Sequence, residues 1–324
     1  MNDFDRRLEE AFGRDAVRRD APLAPLTTFK VGGTAERFLE LRGAAPLRLA
    51  ARLAADAGVA VTVLGGGSNV LVADAGVRGL VVRVHGGDVR AVTPSHRGKG
   101  APGVIIVRAD AGVTINGLVR WTISHGVAGL EAWAGTPGTV GGAIFGNAHF
   151  RGRLIGELIE RVALVTPRGE IADVPVSGME FGYDDSRLHR TREIVVSADF
   201  RVSPGEPDAM RAIARESLAF RKRTQPLASP SAGCIFQNPD PARETLPHGI
   251  PYSAGALVDR AGLKGAREGQ AHVSSTHANF IVNDGGATAR DIRALIERCK
   301  SAVRARFGIT LREEIVYLGF DPPQ

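Results

Sequence analysis

Apolar residues at helical spacing mark two segments of this chain most clearly. The first segment begins near Leu47 and closes at Gly58, and the second begins at Thr288, a candidate N-cap, and closes at Gly308. The second segment carries an apolar stripe at steps of three and four, made of Ile292, Leu295, Ile296, Cys299, Val303 and Phe307. We predict a helix in each segment, and the stripe places Cys299 in the core.

Short β-rich runs bounded by glycine or proline predict the strands. These runs are residues 59–64, 70–72, 79–84, 104–107, 162–166, 170–174 and 193–202. Pro167 to Gly169 joins two of them as a hairpin turn. Weaker helical patterns cover residues 115–126 and 207–223. The first strands and the helix near Leu47 together predict a βαβ-like unit between residues 29 and 72.

Composition limits the class of protein. The chain has 324 residues, of which 44% are hydrophobic and 23% are charged, which is a globular balance for two or three domains. Its two cysteines exclude a disulfide-stapled secreted scaffold and favour a reducing compartment. The first residues carry acids without an apolar core, and no run approaches the roughly 20 apolar residues of a membrane span. We therefore expect a cytoplasmic protein that does not bind membranes.

The net charge of +6 suits a nucleic acid or an anionic small molecule equally well. Nucleic-acid binding of the single-strand type needs basic residues interleaved with aromatic ones. Here aromatic residues make up only 6% of the chain and do not cluster with basic runs such as residues 221–223. We therefore expect no nucleic-acid partner.

Glycine is concentrated in two clusters, residues 65–69 and 135–142. A strand that runs into glycines exposes backbone N–H groups that a phosphate can approach, because no Cβ intervenes. Neither cluster has the spacing of a dinucleotide fingerprint or of a P-loop. Each cluster alone fits a tight turn or a bulge as well. The two together indicate a pyrophosphate that is held from both sides.

A set of ordered motifs then identifies a resemblance. Thr28-Phe29-Lys30-Val31-Gly32-Gly33 and the two glycine clusters are followed by residues 231–239, SAGCIFQNP. Further matches are residues 261–265, 277–283 and 311–315. Taken in order, these motifs resemble the UDP-N-acetylenolpyruvoylglucosamine reductases (UDP-N-acetylmuramate dehydrogenases) over residues 25 to 318.

The resemblance implies an α+β protein of the vanillyl-alcohol-oxidase-like (PCMH-type) FAD-binding fold. It implies FAD-binding subdomains at residues 1–80 and 81–205 and a substrate-binding domain at residues 206–324. The implied activity is NADPH-dependent reduction of the enolpyruvyl ether of UDP-N-acetylglucosamine to UDP-N-acetylmuramate, a cytoplasmic step of peptidoglycan synthesis, by a monomer without a metal. Another FAD oxidoreductase of the same fold, acting on a different small substrate, is the alternative.

The resemblance also implies which residues bind. Those implied for FAD are Leu64, Gly65, Gly66, Gly67, Ser68, Asn69, Gly135, Thr136, Pro137, Gly138, Thr139, Gly141, Gly142 and Asn147. Those implied for the UDP substrate are Tyr183, Lys222, Gln237 and Asn238. Asn238 is equally typical of a turn before proline, and Lys222 of a solvated helix end.

The reaction itself requires two kinds of catalytic group. Hydride addition to the enolpyruvyl carbon leaves an enolate that must be stabilised, and the neighbouring carbon must then be protonated. The resemblance assigns protonation to Cys234, where the family usually has serine, although a lone cysteine is more often a small buried hydrophobe. It assigns Glu314, in the last strand, to the enol, where burial beside a carboxylate would favour its protonated form. Its neighbour Glu313 is expected to be exposed.

One residue departs from the family pattern. Asp184 stands where the family has an arginine that stabilises the enolate, and a carboxylate cannot replace that cation. Arg187 lies three residues further on, which on a helical turn places both residues on one face. Arg187 is therefore the leading candidate for the catalytic cation, oriented by Asp184, and Arg190 is the second; for both, an ordinary exposed arginine on a polar segment is the alternative.

Overall fold

The computed structural model describes residues 2–92 and 103–320 of the chain. The helices are α1 Asp3–Phe12, α2 Ala44–Asp56, α3 Ile115–Ser124, α4 Val140–Phe145, α5 Leu188–Thr191, α6 Pro207–Thr224, α7 Ala254–Arg260 and α8 Ala289–Phe307. The strands are β1 Arg18–Pro22, β2 Thr34–Leu41, β3 Val61–Leu64, β4 Val70–Val72, β5 Val77–Val84, β6 Val89–Val92, β7 Ile105–Asp110, β8 Val127–Ala128, β9 His149–Phe150, β10 Arg153–Leu154, β11 Ile159–Val165, β12 Ile171–Pro175, β13 Ile194–Pro204, β14 Arg267–Glu268, β15 Ala271–Val273, β16 Ile281–Asn283 and β17 Val316–Leu318.

The chain forms two compact units that are interleaved along the sequence. The first unit comprises residues 1–19, 37–66 and 79–220, and the second comprises residues 20–36, 67–78 and 221–324. Each unit has its own cluster of buried apolar side chains. The three-domain division expected from the resemblance stays a prediction.

The first unit is built around a sheet in the order β12-β11-β13-β7-β6, with β8 paired to β13. The predicted hairpin between β11 and β12 is confirmed, since Val165 lies opposite Ile171 in an antiparallel ladder. Another sheet has the order β1-β2-β5-β3, and β3 runs parallel to β5 with Val61 opposite Leu80. The predicted helix near Leu47 is α2, which ends at Asp56 and presents its apolar face to this core.

The second unit is organised around α8. Thr288 and Asp291 form a capping box at its N-terminus, and Gly308 closes it in the left-handed conformation with φ +72°. Cys299 is 1% exposed, and burial raises the pKa of its thiol to about 12, so its predicted place in the core is confirmed. The small sheets β14-β15-β16 and β4-β17 complete this unit.

One predicted strand position is wrong. Glu314 lies outside β17, two residues before the strand begins at Val316. Its neighbour Glu313 is half-buried rather than exposed and accepts a hydrogen bond from Lys300 Nζ at 2.6 Å. Pairing of β17 starts only at Val316, opposite Val70, because the residues before it hydrogen-bond to a different segment. No helix among the described residues is long and apolar enough to cross a lipid bilayer.

Candidate functional site

In the first unit the two glycine clusters approach each other at the end of β3. A Cβ at Gly66 would lie 2.6 Å from the Cα of Gly138, and a Cβ at Gly65 would lie 2.5 Å from Oγ1 of Thr139. Both contacts are too short for any side chain. At Gly66 backbone meets backbone, and at Gly65 backbone meets the Thr139 hydroxyl, which explains why glycine fits both positions.

The second cluster is held open by hydrogen bonds to its surroundings. Asn116 Oδ1 accepts from the Gly135 N–H at 2.7 Å, and Thr139 caps α4 through its side chain. Gly135 and Gly138 both have positive φ, at +82° and +99°. Within residues 2–92 and 103–320, no acceptor is recorded for the N–H groups of Gly65, Gly66 or Gly138. Three amide donors in two converging loops are what a pyrophosphate requires, so the residues present fit FAD.

The rest of the first cluster belongs to the second unit. Gly67 has φ +63°, and its Cβ would lie 2.1 Å from the carbonyl oxygen of Leu26. Its own carbonyl accepts from the Thr28 N–H at 2.9 Å. Asn69 donates from Nδ2 to the Glu314 carbonyl at 3.0 Å. The motif around Thr28 thus supports the glycine loop, and Asn69 connects that loop to the segment carrying Glu314.

Cys234 and Glu314 lie on adjacent segments of the second unit. The Glu314 N–H donates to the carbonyl of Ile235 at 2.8 Å, one residue after Cys234. Phe236 and Glu313 form a single antiparallel bridge beside them. Cys234 and the Glu314 side chain are both half-buried. The structure therefore brings together the two residues that the resemblance assigns to catalysis.

Asn279 fixes this arrangement, and sequence reasoning missed it. Its side chain accepts from the Phe236 N–H at 2.9 Å and donates to the Phe236 carbonyl at 2.8 Å, and its own carbonyl accepts from the Ile235 N–H. Asn279 is 2% exposed. Such a two-way bond from a buried amide to the backbone holds the segment after Cys234 in one position. The resemblance had indicated only that residues 277–283 form a motif.

Arg221 is the second residue that sequence reasoning missed. It is 6% exposed, whereas the predicted substrate contact Lys222 is exposed at the next position of α6. Burial lowers the pKa of Arg221 to about 10, while Cys234 acts electrostatically in the opposite direction. The spacing along the sequence could have identified Arg221. It lies on one helical face with Met210, Ala214 and Ser217, and all four residues are buried. A guanidinium on that face is a charge near Cys234.

The remaining predicted substrate residues of the second unit lie just beyond Phe236. The Gln237 N–H donates to the Arg312 carbonyl at 2.9 Å. Asn238 is exposed, and its Oδ1 accepts from the Ala254 N–H at 3.0 Å, at the start of α7. Asn238 therefore has a structural bond through its oxygen.

The residues predicted between 147 and 187 form a connected group in the first unit. Asn147 is fully buried, donates from Nδ2 to the Gly182 carbonyl at 2.7 Å and accepts from the Gly156 N–H at 2.9 Å. Its amide therefore ties two loops together, and its expected contact with FAD stays a prediction. Tyr183, the next residue after Gly182, is 41% exposed.

The expected ion pair between Asp184 and Arg187 is wrong. Asp184 has φ +52°, so the residues after it do not continue a helical turn, and α5 begins only at Leu188. Arg187 instead binds both carboxylate oxygens of Glu193, at 2.9 and 3.2 Å, and the Gly178 carbonyl at 3.1 Å. The other candidate, Arg190, pairs with Asp185 and Glu180. Both arginines are thus engaged by carboxylates, and Asp184 bonds to His149.

Comparisons with known proteins match two different parts of the chain. A family model described as an FAD binding domain matches residues 35–175, and a model described as the C-terminal domain of UDP-N-acetylenolpyruvoylglucosamine reductase matches residues 225–318. The reductase of this name from Geobacter metallireducens is 37% identical over 306 residues, covering 94% of this chain and 95% of that protein. This chain belongs to the UDP-N-acetylenolpyruvoylglucosamine reductase family.

A second relative and a solved structure support the same assignment. The reductase from Anaeromyxobacter dehalogenans strain 2CP-1 is 39% identical over 301 residues, covering 93% of this chain and 85% of that protein. The crystal structure of UDP-N-acetylenolpyruvylglucosamine reductase from Thermus caldophilus matches with a TM-score of 0.73 at 30% identity, over 93% of this chain and 99% of that one. The predicted α+β FAD-binding fold is confirmed, and the chain is an FAD-dependent oxidoreductase.

Proposed function

We propose that this chain reduces UDP-N-acetylenolpyruvoylglucosamine to UDP-N-acetylmuramate with NADPH as the hydride donor, in the synthesis of peptidoglycan precursors. The observation that carries the proposal is the hydrogen bond between the Glu314 N–H and the Ile235 carbonyl. It holds a carboxyl group and the Cys234 thiol on adjacent segments, which an enol intermediate needs for stabilisation and for protonation.

FAD supplies the hydride chemistry when bound, and the protein supplies placement and proton transfer. Gly65, Gly66 and Gly138 would hold the pyrophosphate through their backbone N–H groups. The other FAD contacts named from the sequence remain part of the same proposal.

Cys234 is the proposed proton donor to the substrate carbon. A thiol, with an ordinary pKa near 8.5, releases a proton far more readily than an alcohol does. The positive charge of Arg221 stabilises the thiolate that remains after transfer. Asn279 keeps the segment after Cys234 in place, so that the thiol meets one face of the substrate.

Glu314 is proposed to stabilise the enol, and residues near the end of α6 and after Phe236 to bind the UDP diphosphate. Lys222 is exposed and provides a flexible cation for a phosphate. Asn238 and Gln237 complete this set. Tyr183 is proposed separately as a substrate contact. We also propose that the enzyme works in the cytoplasm as a monomer, which gel filtration and cell fractionation test.

A two-step anaerobic assay tests the function. NADPH should bleach the flavin of the purified protein, and UDP-N-acetylenolpyruvoylglucosamine should then restore its colour with formation of UDP-N-acetylmuramate. Substituting NADH in the first step measures the preference between nicotinamides. If the substrate leaves the flavin bleached while another enol ether or alcohol-derived substrate restores it, the proposal is wrong and a different flavin oxidoreductase activity is indicated.

A further inference from the structure

A histidine–aspartate pair lies beside Tyr183 in the first unit. His149 Nδ1 is 2.9 Å from Asp184 Oδ1, and the Tyr183 hydroxyl is 3.4 Å from His149 Nε2. The two aromatic rings lie 4.8 Å apart at an angle of 38°. A carboxylate only accepts hydrogen bonds, so Nδ1 donates to Asp184 and the other ring nitrogen is directed to Tyr183.

The surrounding backbone is arranged to hold this pair. Asp184 is in the left-handed conformation, which costs a non-glycine residue free energy, and its side chain is only 6% exposed. The Asn147 amide bonds to the Gly182 carbonyl and so fixes the segment before His149 against the segment before Asp184. A nearly buried carboxylate needs a partner, and His149 provides it.

The two arginines that follow Tyr183 most closely in the sequence are both paired with carboxylates. Arg187 is neutralised by Glu193 in a two-pronged ion pair, and Arg190 is shared between Asp185 and Glu180. The carboxylate of Asp184 lies 2.9 Å from Nδ1 of the imidazole and is placed to pair with a protonated ring. A protonated His149 would be a source of positive charge in direct contact with Tyr183.

We infer that His149, oriented by Asp184, is a positioning residue that makes the Tyr183 hydroxyl a hydrogen-bond donor toward the negative charge formed on the substrate. An imidazolium donates from Nε2 to the tyrosine oxygen, so the phenolic proton is directed away from the ring and toward an enolate or carboxylate. In this arrangement Asp184, which stands at the position of the family's arginine, orients the positive charge of His149. This inference rests on the proposed function, because it takes Tyr183 as a substrate contact.

A double-mutant cycle on the holoenzyme tests the inference, with the two half-reactions measured separately. His149→Gln should slow the return of flavin colour by substrate about 10- to 100-fold, somewhat less than the loss of a direct oxyanion donor. It should leave bleaching at saturating NADPH within about twofold. Tyr183→Phe should slow the same step at least as much, and the double variant should be no slower than Tyr183→Phe, because both changes remove one interaction.

Two further variants keep the test decisive. His189→Gln is the matched control, since the His189 ring contacts Phe145 at 4.0 Å, and it should change neither half-reaction. Asp184→Asn keeps the shape and an acceptor for Nδ1 but removes the charge, and it should show part of the His149→Gln loss. If His149→Gln does not retain FAD, the result for Asp184→Asn tests the inference by itself.

Normal substrate-driven recolouring in both His149→Gln and Asp184→Asn would overturn the inference. Multiplied losses in the double variant would also overturn it, because His149 would then act independently of the tyrosine hydroxyl. A wild-type enzyme that the UDP substrate cannot recolour would instead refute the proposed function, and the inference with it.

Discussion

The contact between the two glycine clusters gives the sharpest prediction about the cofactor. In Gly66→Ala, the added Cβ would lie 2.6 Å from the Gly138 Cα, 3.2 Å from its carbonyl carbon and 3.4 Å from its nitrogen. All three atoms are backbone, so no flexible side chain can move aside. Ordinary contact begins near 3.4 Å, and the loops must separate by about 0.8 Å.

That displacement sets the size of the effect. An N–H···O distance of about 2.9 Å would become about 3.7 Å, beyond the range of a hydrogen bond. Overpacking of this kind costs about 1–3 kcal/mol of binding free energy, which corresponds to a dissociation constant for FAD that is about 5- to 150-fold higher.

The assay is the ratio of flavin to protein after purification, followed by titration of the apoprotein with FAD. Gly146→Ala is the matched control, because the nearest atom to its Cβ is 4.0 Å away and its φ is −95°. The control should purify yellow, while Gly66→Ala should be pale and should regain colour only at raised FAD concentration. A Gly66→Ala protein with full flavin content and wild-type affinity would refute the assignment of the pyrophosphate to these loops.

Three further predictions concern single side chains. Cys234→Ala should slow substrate-driven recolouring by about 10²–10⁴-fold, as the loss of a general acid does, and Cys234→Ser should retain much of the rate. Equal losses in both half-reactions would make Cys234 a packing residue. Arg187→Ala should lower the free energy of unfolding by about 1–3 kcal/mol, because Glu193 loses its partner, with recolouring nearly unchanged; a selective loss of recolouring would restore Arg187 as the catalytic cation. Asp5→Ala should lower the free energy of unfolding by about 3 kcal/mol at pH 7 in urea, because it removes the nearly buried carboxylate to which Arg37 and Arg19 both bond, and Asp3→Ala, at an exposed pair, should change it little. Burial acts to raise the pKa of Asp5, but Arg37 and Arg19 together hold it below the usual value, so this stabilisation should be full above pH 4 and disappear as the pH falls further.

Local patterns predicted the regular elements well, because periodicity and caps are properties of neighbouring residues. The stripe and the capping box of α8 are visible in the sequence, and so is the turn between β11 and β12. The ordered motifs alone assign Cys234 and Glu314 to one proposed catalytic site. Their proximity depends on the hydrogen bond to Ile235, which no local pattern encodes.

The errors came from positions where the backbone leaves its regular path. The spacing predicts a helical turn from Asp184 to Arg187, but Asp184 has a left-handed φ, and its side chain bonds to His149 instead of Arg187. His149 itself carried no signal, since a single histidine after Asn147 is unremarkable in sequence. The partner of a buried charge is a tertiary contact, and spacing along the chain does not reveal it.

The proposed proton donor, Cys234, and the arginine near it support one another chemically. Transfer of a proton from Cys234 leaves an anion, and a half-buried anion is costly unless a cation lies nearby. Arg221 is such a cation, because burial lowers its pKa only to about 10, so that it stays charged at neutral pH, and it interacts electrostatically with Cys234. The positive charge of Arg221 near Cys234 therefore supports the proposal that Cys234 is the general acid, because that charge favours the thiolate that remains after proton transfer.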